Sequence, residues 1–268
     1  MSPQRTGWFH LPSEARNAVQ EHTGQVLGAR SADVGVMSAL ASMLDTRDGP
    51  VFVKGTPADS PSAWVYRHEA RVTAVAPLAP PVLWQTEGGG WLLYGYGALT
   101  GRHPDFAPNS PDLRLLVHAL SVVSARPWPD GIGKKSLSDR LARFVPAGGE
   151  GAFDGRMLVH TDAGEFNLLV TGSGMRLLDW ALACPGPDWA DAALLVPRLI
   201  ATGHTPEQAD RWARRVPAYR TADPDRLAVF ARTVHAFWRS RTLEDPLPQR
   251  VKLTQAAEQW AGTAGQIG

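Results

Sequence analysis

Cysteine is nearly absent: Cys184 is the only one in 268 residues, so no internal disulfide can form, and no Cys/His cluster has zinc spacing. Neither sign of charge dominates, since 27 Lys and Arg stand against 26 Asp and Glu, and that balance argues against a nucleic-acid surface. No apolar run approaches the roughly 20 residues that cross a bilayer. The opening "MSPQRTGWFHLPSEARN" lacks the uninterrupted apolar core of a signal peptide. The expectation is a cytoplasmic protein with neither membrane nor nucleic acid as partner. Lysine is scarce as well, with four in an arginine-rich chain. What remains is enough chain to bury a sizeable core, as one large domain or two lobes.

Two textures divide that chain. Up to about Gly101, short β-like runs dominate ("GQVLGAR", "VGVMSALAS", "PVFVKG", "PVLWQTE", "GWLLYGYG"), separated by Gly, Pro and Asp. One helix-like run interrupts them, "SPSAWVYRHEARVTAVA", with Ser60 placed as N-cap and Pro61 at the first helical position. Thereafter apolar residues recur at helical spacing in "SPDLRLLVHALSVVSA", "WADAALLVPRLIATG", "TPEQADRWARRVPAY", "DPDRLAVFARTVHAFWRS" and "PQRVKLTQAAEQWA". The reading is α+β: a small β-rich lobe with one helix over residues 1–96, a hinge near 93–98, and a larger, mainly helical lobe over 97–268.

Polar groups concentrate in "LVHTDAGEFNLLVTGSGMRLLDW", Leu158 to Trp180. "NLLV" and "MRLLDW" read as two strands joined by a four-residue loop, Thr171 to Gly174. Pairing Val170 with Met175 sets Leu168 opposite Leu177 and brings Asn167 and Asp179 out side by side at the open end. An amide oxygen and a carboxylate are hard ligands suited to Mg²⁺, which keeps waters and substrate phosphates in its shell. Asp162 lies on the loop entering the first strand, where a carboxylate not spent on metal can orient a hydroxyl and accept its proton.

His160-x-Asp162-x-x-x-x-Asn167, followed by an apolar hairpin ending in Asp179-Trp180, resembles the catalytic segment of the aminoglycoside phosphotransferase family. That family comprises small-molecule kinases with a protein-kinase-like, two-lobed fold. The wording "TDAGEF" departs from the family's Leu-, His- and Pro-richer usage, while the fixed polar positions are intact. The resemblance runs from about Gln25 to Asp191 and implies ATP and Mg²⁺ as cofactors. It implies Asp162 as the base, Asn167 and Asp179 as metal ligands, and His160 and Asp191 as structural members that hold the catalytic loop. Upstream it implies that Lys54 contacts the α/β-phosphates and pairs with Glu69 on the following helix. Leu93, Tyr94 and Tyr96 then fall on the hinge strand that meets adenine. No G-x-G-x-x-G occurs, so the phosphate loop is assigned to "GARSADVG", Gly28 to Gly35, with Ser31 as a donor.

The implied activity is transfer of the γ-phosphoryl group from ATP to a hydroxyl of a small-molecule acceptor, such as an antibiotic, nucleoside, sugar or other natural product. Beyond Trp180, where much of the acceptor pocket is expected, eleven Arg or Lys outnumber nine Asp or Glu, which argues against a polycationic acceptor. Arg211, Arg214 and Arg215 also fit a solvated helix face. Two alternatives keep the same fold: a Ser/Thr kinase for a precursor peptide, working with a separate lyase partner, and a catalytically silent binding module. The silent module predicts loss of Lys54, Asp162, Asn167 or Asp179, and all four are present.

Overall fold

The computed structural model describes residues 5–32 and 38–264. The chain divides into two compact units, Met1–Gly101 with Leu178–Ala181, and Arg102–Leu177 with Leu182–Gly268. The sequence placed the division at 96/97, and here it follows Gly101. Among the described residues no helix is long and apolar enough to cross a membrane.

The first unit is built on a five-stranded sheet: β1 (Val26–Ser31), β2 (Leu40–Thr46), β3 (Gly49–Pro57), β4 (Val82–Gly88) and β5 (Trp91–Gly97). All neighbours are antiparallel in the order β1-β2-β3-β5-β4. Thr46 pairs with Gly49 and Gly88 with Trp91, so both hairpins close through two residues; in the second, Gly89 and Gly90 are both at positive φ, +54° and +77°, as a type I′ turn requires. Alternation along β3 and β5 separates two cores. Val53 and Leu93 face a cluster with Leu40, Leu44, Ala15 and Val19, and Leu92, Tyr94 and Tyr96 face one with Ala63, Tyr66 and Ala70. Close approach is enforced at Gly95, where an added Cβ would lie 2.2 Å from the Trp84 ring.

Two helices flank this sheet, whereas the sequence indicated one. Helix α1 (Ser13–Thr23) buries only Ala15, Val19 and Thr23, a stripe too narrow to register as an amphipathic pattern in a polar segment. Helix α2 (Ala63–Thr73) begins two residues later than expected. Ser60 instead closes a turn ahead of it, its carbonyl accepting from Ala63 N–H at 2.9 Å and its Oγ accepting from Ser62 N–H at 3.3 Å.

The second unit contains α3 (Asp112–Ser124), α4 (Leu137–Leu141), α5 (Ala190–Ala201), α6 (Pro206–Ala213), α7 (Pro217–Arg220), α8 (Pro224–Glu244) and α9 (Pro248–Thr263). Phe230 on α8 anchors its aromatic core, meeting Phe153, Trp189 and Trp260 edge-on at 5.1, 5.2 and 6.4 Å. Two small ribbons carry the loops of interest. β6 (Met157–Val159) pairs with β9 (Cys184–Gly186), and β7 (Leu168–Thr171) pairs with β8 (Gly174–Leu177). The latter has the expected register, Val170 opposite Met175 and Leu168 opposite Leu177. Its loop is tighter than the sequence suggested: Thr171 pairs with Gly174, leaving Gly172 and Ser173 as a two-residue turn.

Candidate active site

In the first unit, Lys54 sits on β3, the middle strand of the sheet, with its Cα opposite Ala41 on one side and Tyr94 on the other. Its side chain shares a face with α2, and its Nζ lies 2.6 Å from Glu69 Oε1 and 3.3 Å from Asp179 Oδ1. Lys54 and Glu69 are buried, at 8% and 5% exposure. Burial alone would pull the lysine pKa down, but Glu69 and then Asp179 outweigh it and hold Lys54 above its ordinary value, fully protonated. Asp179 has φ +59°, a left-handed conformation that a non-glycine residue adopts at some expense.

In the second unit, the loop 160–167 is held from several directions. His160 is fully buried. The N–H groups of His160 and Thr161 donate to the two carboxylate oxygens of Asp191 at 2.7 and 2.8 Å. Asp191 is the second residue of α5, so its carboxylate serves this loop and is not the cap residue before the helix. Burial raises the Asp191 pKa above the ordinary carboxylate value, against the opposing pull of His160. Asp162 N–H donates to His160 Nδ1 at 3.2 Å, which makes Nδ1 an acceptor and puts a neutral ring's proton on Nε2. Thr161 is left-handed at φ +68°, and its Oγ1 donates to the Leu182 carbonyl at 3.0 Å.

The Asp162 carboxylate is gripped at both oxygens. Asn167 Nδ2 donates to Asp162 Oδ2 at 2.8 Å and to the Asp162 carbonyl at 2.9 Å, and Arg198 Nη2 donates to Asp162 Oδ1 at 2.8 Å. With its amide N–H₂ group spent on Asp162, Asn167 keeps Oδ1 as its remaining acceptor, the oxygen a hard cation would use. Asp179, in the first unit, has a carboxylate that is 40% exposed. An amide oxygen and a solvent-accessible carboxylate are donors of the right kind for Mg²⁺.

Arg198, on α5, did not emerge from the sequence. Gly164 gives it room: a Cβ there would lie 2.5 Å from Arg198 Nη1. A charged residue inside the apolar run "LLVPRLIA" was the available signal, because such a charge needs a partner. Other sequence assignments are placed differently. Leu93, Tyr94 and Tyr96 are buried in the two cores, and their strand pairs on both sides, so its backbone groups are spent on the ladders. Ser31 ends β1 at the sheet edge and is exposed, while positions 33–35 of the expected phosphate loop lie outside the described residues.

The model of the Phosphotransferase enzyme family matches residues 134–230, a segment holding His160, Asp162, Asn167, Asp179, Asp191 and Arg198. No curated protein matches the chain. Solved structures similar in fold include a candidate aminoglycoside phosphotransferase from Ralstonia eutropha JMP134, at TM-score 0.58 and 14% identity over 93% of this chain and 95% of that one. A thermostable mutant of aminoglycoside phosphotransferase APH(4)-Ia, bound to AMP-PNP and hygromycin B, gives 0.59 and 18% over 92% and 98%. Spectinomycin phosphotransferase APH(9)-Ia, bound to ADP and spectinomycin, gives 0.56 and 12% over 92% of each chain. At such identities the likeness establishes the kinase-like fold. The family match covers about a third of the chain, and it lies over the His160–Asn167 segment in which the sequence resembles that family.

Proposed function

We propose that the protein transfers the γ-phosphoryl group of ATP to a hydroxyl of a small molecule, in a cytoplasmic setting that supplies ATP and Mg²⁺ together. The observation that carries this reading is the Lys54 ammonium shared between Glu69 and Asp179. A buried, permanently charged cation, steered by one carboxylate and flanked by a second, is the arrangement that binds nucleotide phosphates beside a metal. Lys54 holds the α/β-phosphates and Glu69 fixes its direction. Asn167 and Asp179 would hold Mg²⁺, which when bound neutralises charge on the β- and γ-phosphate oxygens.

Asp162 orients the acceptor hydroxyl and takes its proton as the hydroxyl oxygen bonds to the γ-phosphorus. The bond from that phosphorus to the β–γ bridging oxygen breaks, and ADP leaves. Asp191 and His160 hold the loop, and Arg198 with Asn167 fixes the carboxylate's direction, so most of the acceleration is positioning and charge neutralisation. Adenine's edge is assigned to the backbone at 98–100, just past the fully paired β5. Ser31 is assigned to a phosphate.

The test is transfer from γ-labelled ATP with Mg²⁺ to a panel of hydroxylated compounds, run with wild type and Asp162→Asn. Transfer by wild type alone supports the reading. Equal transfer by both proteins removes Asp162 from the chemistry, and failure of the wild type to bind Mg·ATP removes the reading itself.

A further inference from the structure

A cavity of about 220 Å³ within the second unit opens onto Asp162. It is smaller than the roughly 300–1,000 Å³ of pockets that enclose drug-sized ligands. Eight of its twelve lining residues are Leu, Val, Phe or Trp, so it favours a hydrocarbon body over a sugar studded with hydroxyls and amines. Phe237 is fixed in one wall by edge-on contacts with Phe144 at 5.5 Å and Trp238 at 5.1 Å, which gives a planar ring a stiff surface to lie on.

Charge points the same way. Asp162 is the one acid in the lining, and Arg198 already neutralises it at 2.8 Å. The remaining charge is Arg140, whose Nη1 donates to the Leu182 carbonyl at 2.6 Å and to Cys184 Sγ at 3.2 Å. Among the described residues no carboxylate pairs with it. A half-buried guanidinium held by a carbonyl and a thiol keeps donors for an anion. A polycation entering this space would meet one spoken-for carboxylate and an opposing cation, which is the reverse of complementarity.

We propose, resting on the phosphotransferase reading, that the acceptor is a small, mainly apolar ring alcohol bearing a carboxylate. Its hydroxyl meets Asp162, its ring lies against Leu182, Val234, Phe237 and Trp238, and its carboxylate meets Arg140. The reaction balances: the alcohol oxygen gains phosphorus, its proton passes to Asp162, and ATP departs as ADP.

The experiment uses the full chain with Mg·ATP and three probes of one shape, hydroxymethyl-phenylpropanoate, its primary amide and the corresponding amine, with an aminoglycoside as the polycationic arm. The expected kcat/KM for the carboxylate exceeds the amide's by roughly 10-fold and the amine's by roughly 100-fold, the range that one charge-assisted hydrogen bond or one like-charge clash supports. Arg140→Gln collapses the carboxylate-to-amide ratio toward one. Leu182→Glu, at a side chain 46% exposed on the pocket wall and so safe for folding, inverts the order of carboxylate and amine. Equal rates for the three probes, preference for the amine or the aminoglycoside, or neither transfer to nor millimolar binding of the carboxylate would each overturn the proposal. Mg·ATP binding measured on the same protein separates the failures. Nucleotide bound with carboxylates rejected defeats the acceptor class alone, and nucleotide not bound defeats the reading beneath it.

Discussion

The two units hold their charged clusters in opposite ways. In the first, the Lys54 and Glu69 side chains are 10% and 6% exposed, and the cation is permanent. In the second, Asp162 is 40% exposed and Arg198 19%, and the carboxylate keeps contact with solvent. A buried pair is stabilising only as a pair, because either partner alone is an uncompensated charge. A half-exposed pair contributes little to folding and serves to aim one group. The difference predicts that mutations in the first cluster damage stability and function together, while mutations in the second separate them.

The largest effect that sharpens this contrast is Asp162→Asn. It is expected to lower kcat for transfer by roughly 100- to 10,000-fold, with an unfolding free energy changed by no more than about 1 kcal/mol in urea titration. A stability loss matching that at Lys54 would erase the distinction. Next, Lys54→Met strands Glu69 and is expected to destabilise the protein by about 3–5 kcal/mol. Adding Glu69→Leu recovers most of that stability without restoring transfer, and failure of the double variant to recover would show that the pair is not the source of the loss.

Gly95→Ala tests packing in the first unit free of charge. The added methyl meets the Trp84 ring and is expected to cost about 1–3 kcal/mol in thermal or urea unfolding, relieved by trimming Trp84 to Leu. The smallest effect concerns the second unit. Arg102 donates to both oxygens of Asp112, at 2.6 and 2.8 Å, and this pairing holds the Asp112 pKa below the ordinary 3.8. A folded-state value below the unfolded one means that ionisation favours folding above about pH 3.8, and the gain is lost as pH falls through the lower, folded value. The stability gap between wild type and Asp112→Asn, about 1 kcal/mol near neutrality, should therefore narrow on acidification. A gap that widens reverses the sign.

Legibility followed the range over which each signal acts. The β7–β8 register was readable because apolar alternation and a Gly-Ser turn fix it within ten residues, and β1, β3, β4 and β5 were readable as short apolar runs, whereas the run Val34–Ser42 meets β2 only at 40–42. Helix α1 was not, because two apolar residues four apart are too few to stand out. Lys54 and Glu69 stood out as a rare lysine in a β-branched run and an acid on the next helix, and fifteen residues separate them. Arg198 lies 36 residues from Asp162, and nothing local joins them. Only the packing of α5 beside Gly164 brings the guanidinium to the carboxylate. The pairing of Leu93, Tyr94 and Tyr96 was hidden for a related reason: a strand's sequence says that it is buried, not that both its edges are taken.

Thr161 carries one more consequence. A β-branched residue at φ +68° is a poor choice for its backbone, and glycine would be more comfortable there by about 1–2 kcal/mol. Threonine brings a hydroxyl to the Leu182 carbonyl and a stiff side chain beside Asp162. A programme that ranked substitutions by thermal tolerance alone would select glycine at this position and would select against the pre-set geometry of the base. Robustness and competence are thus in direct competition at a single residue, and a hardened variant of this protein should be built around that position rather than through it.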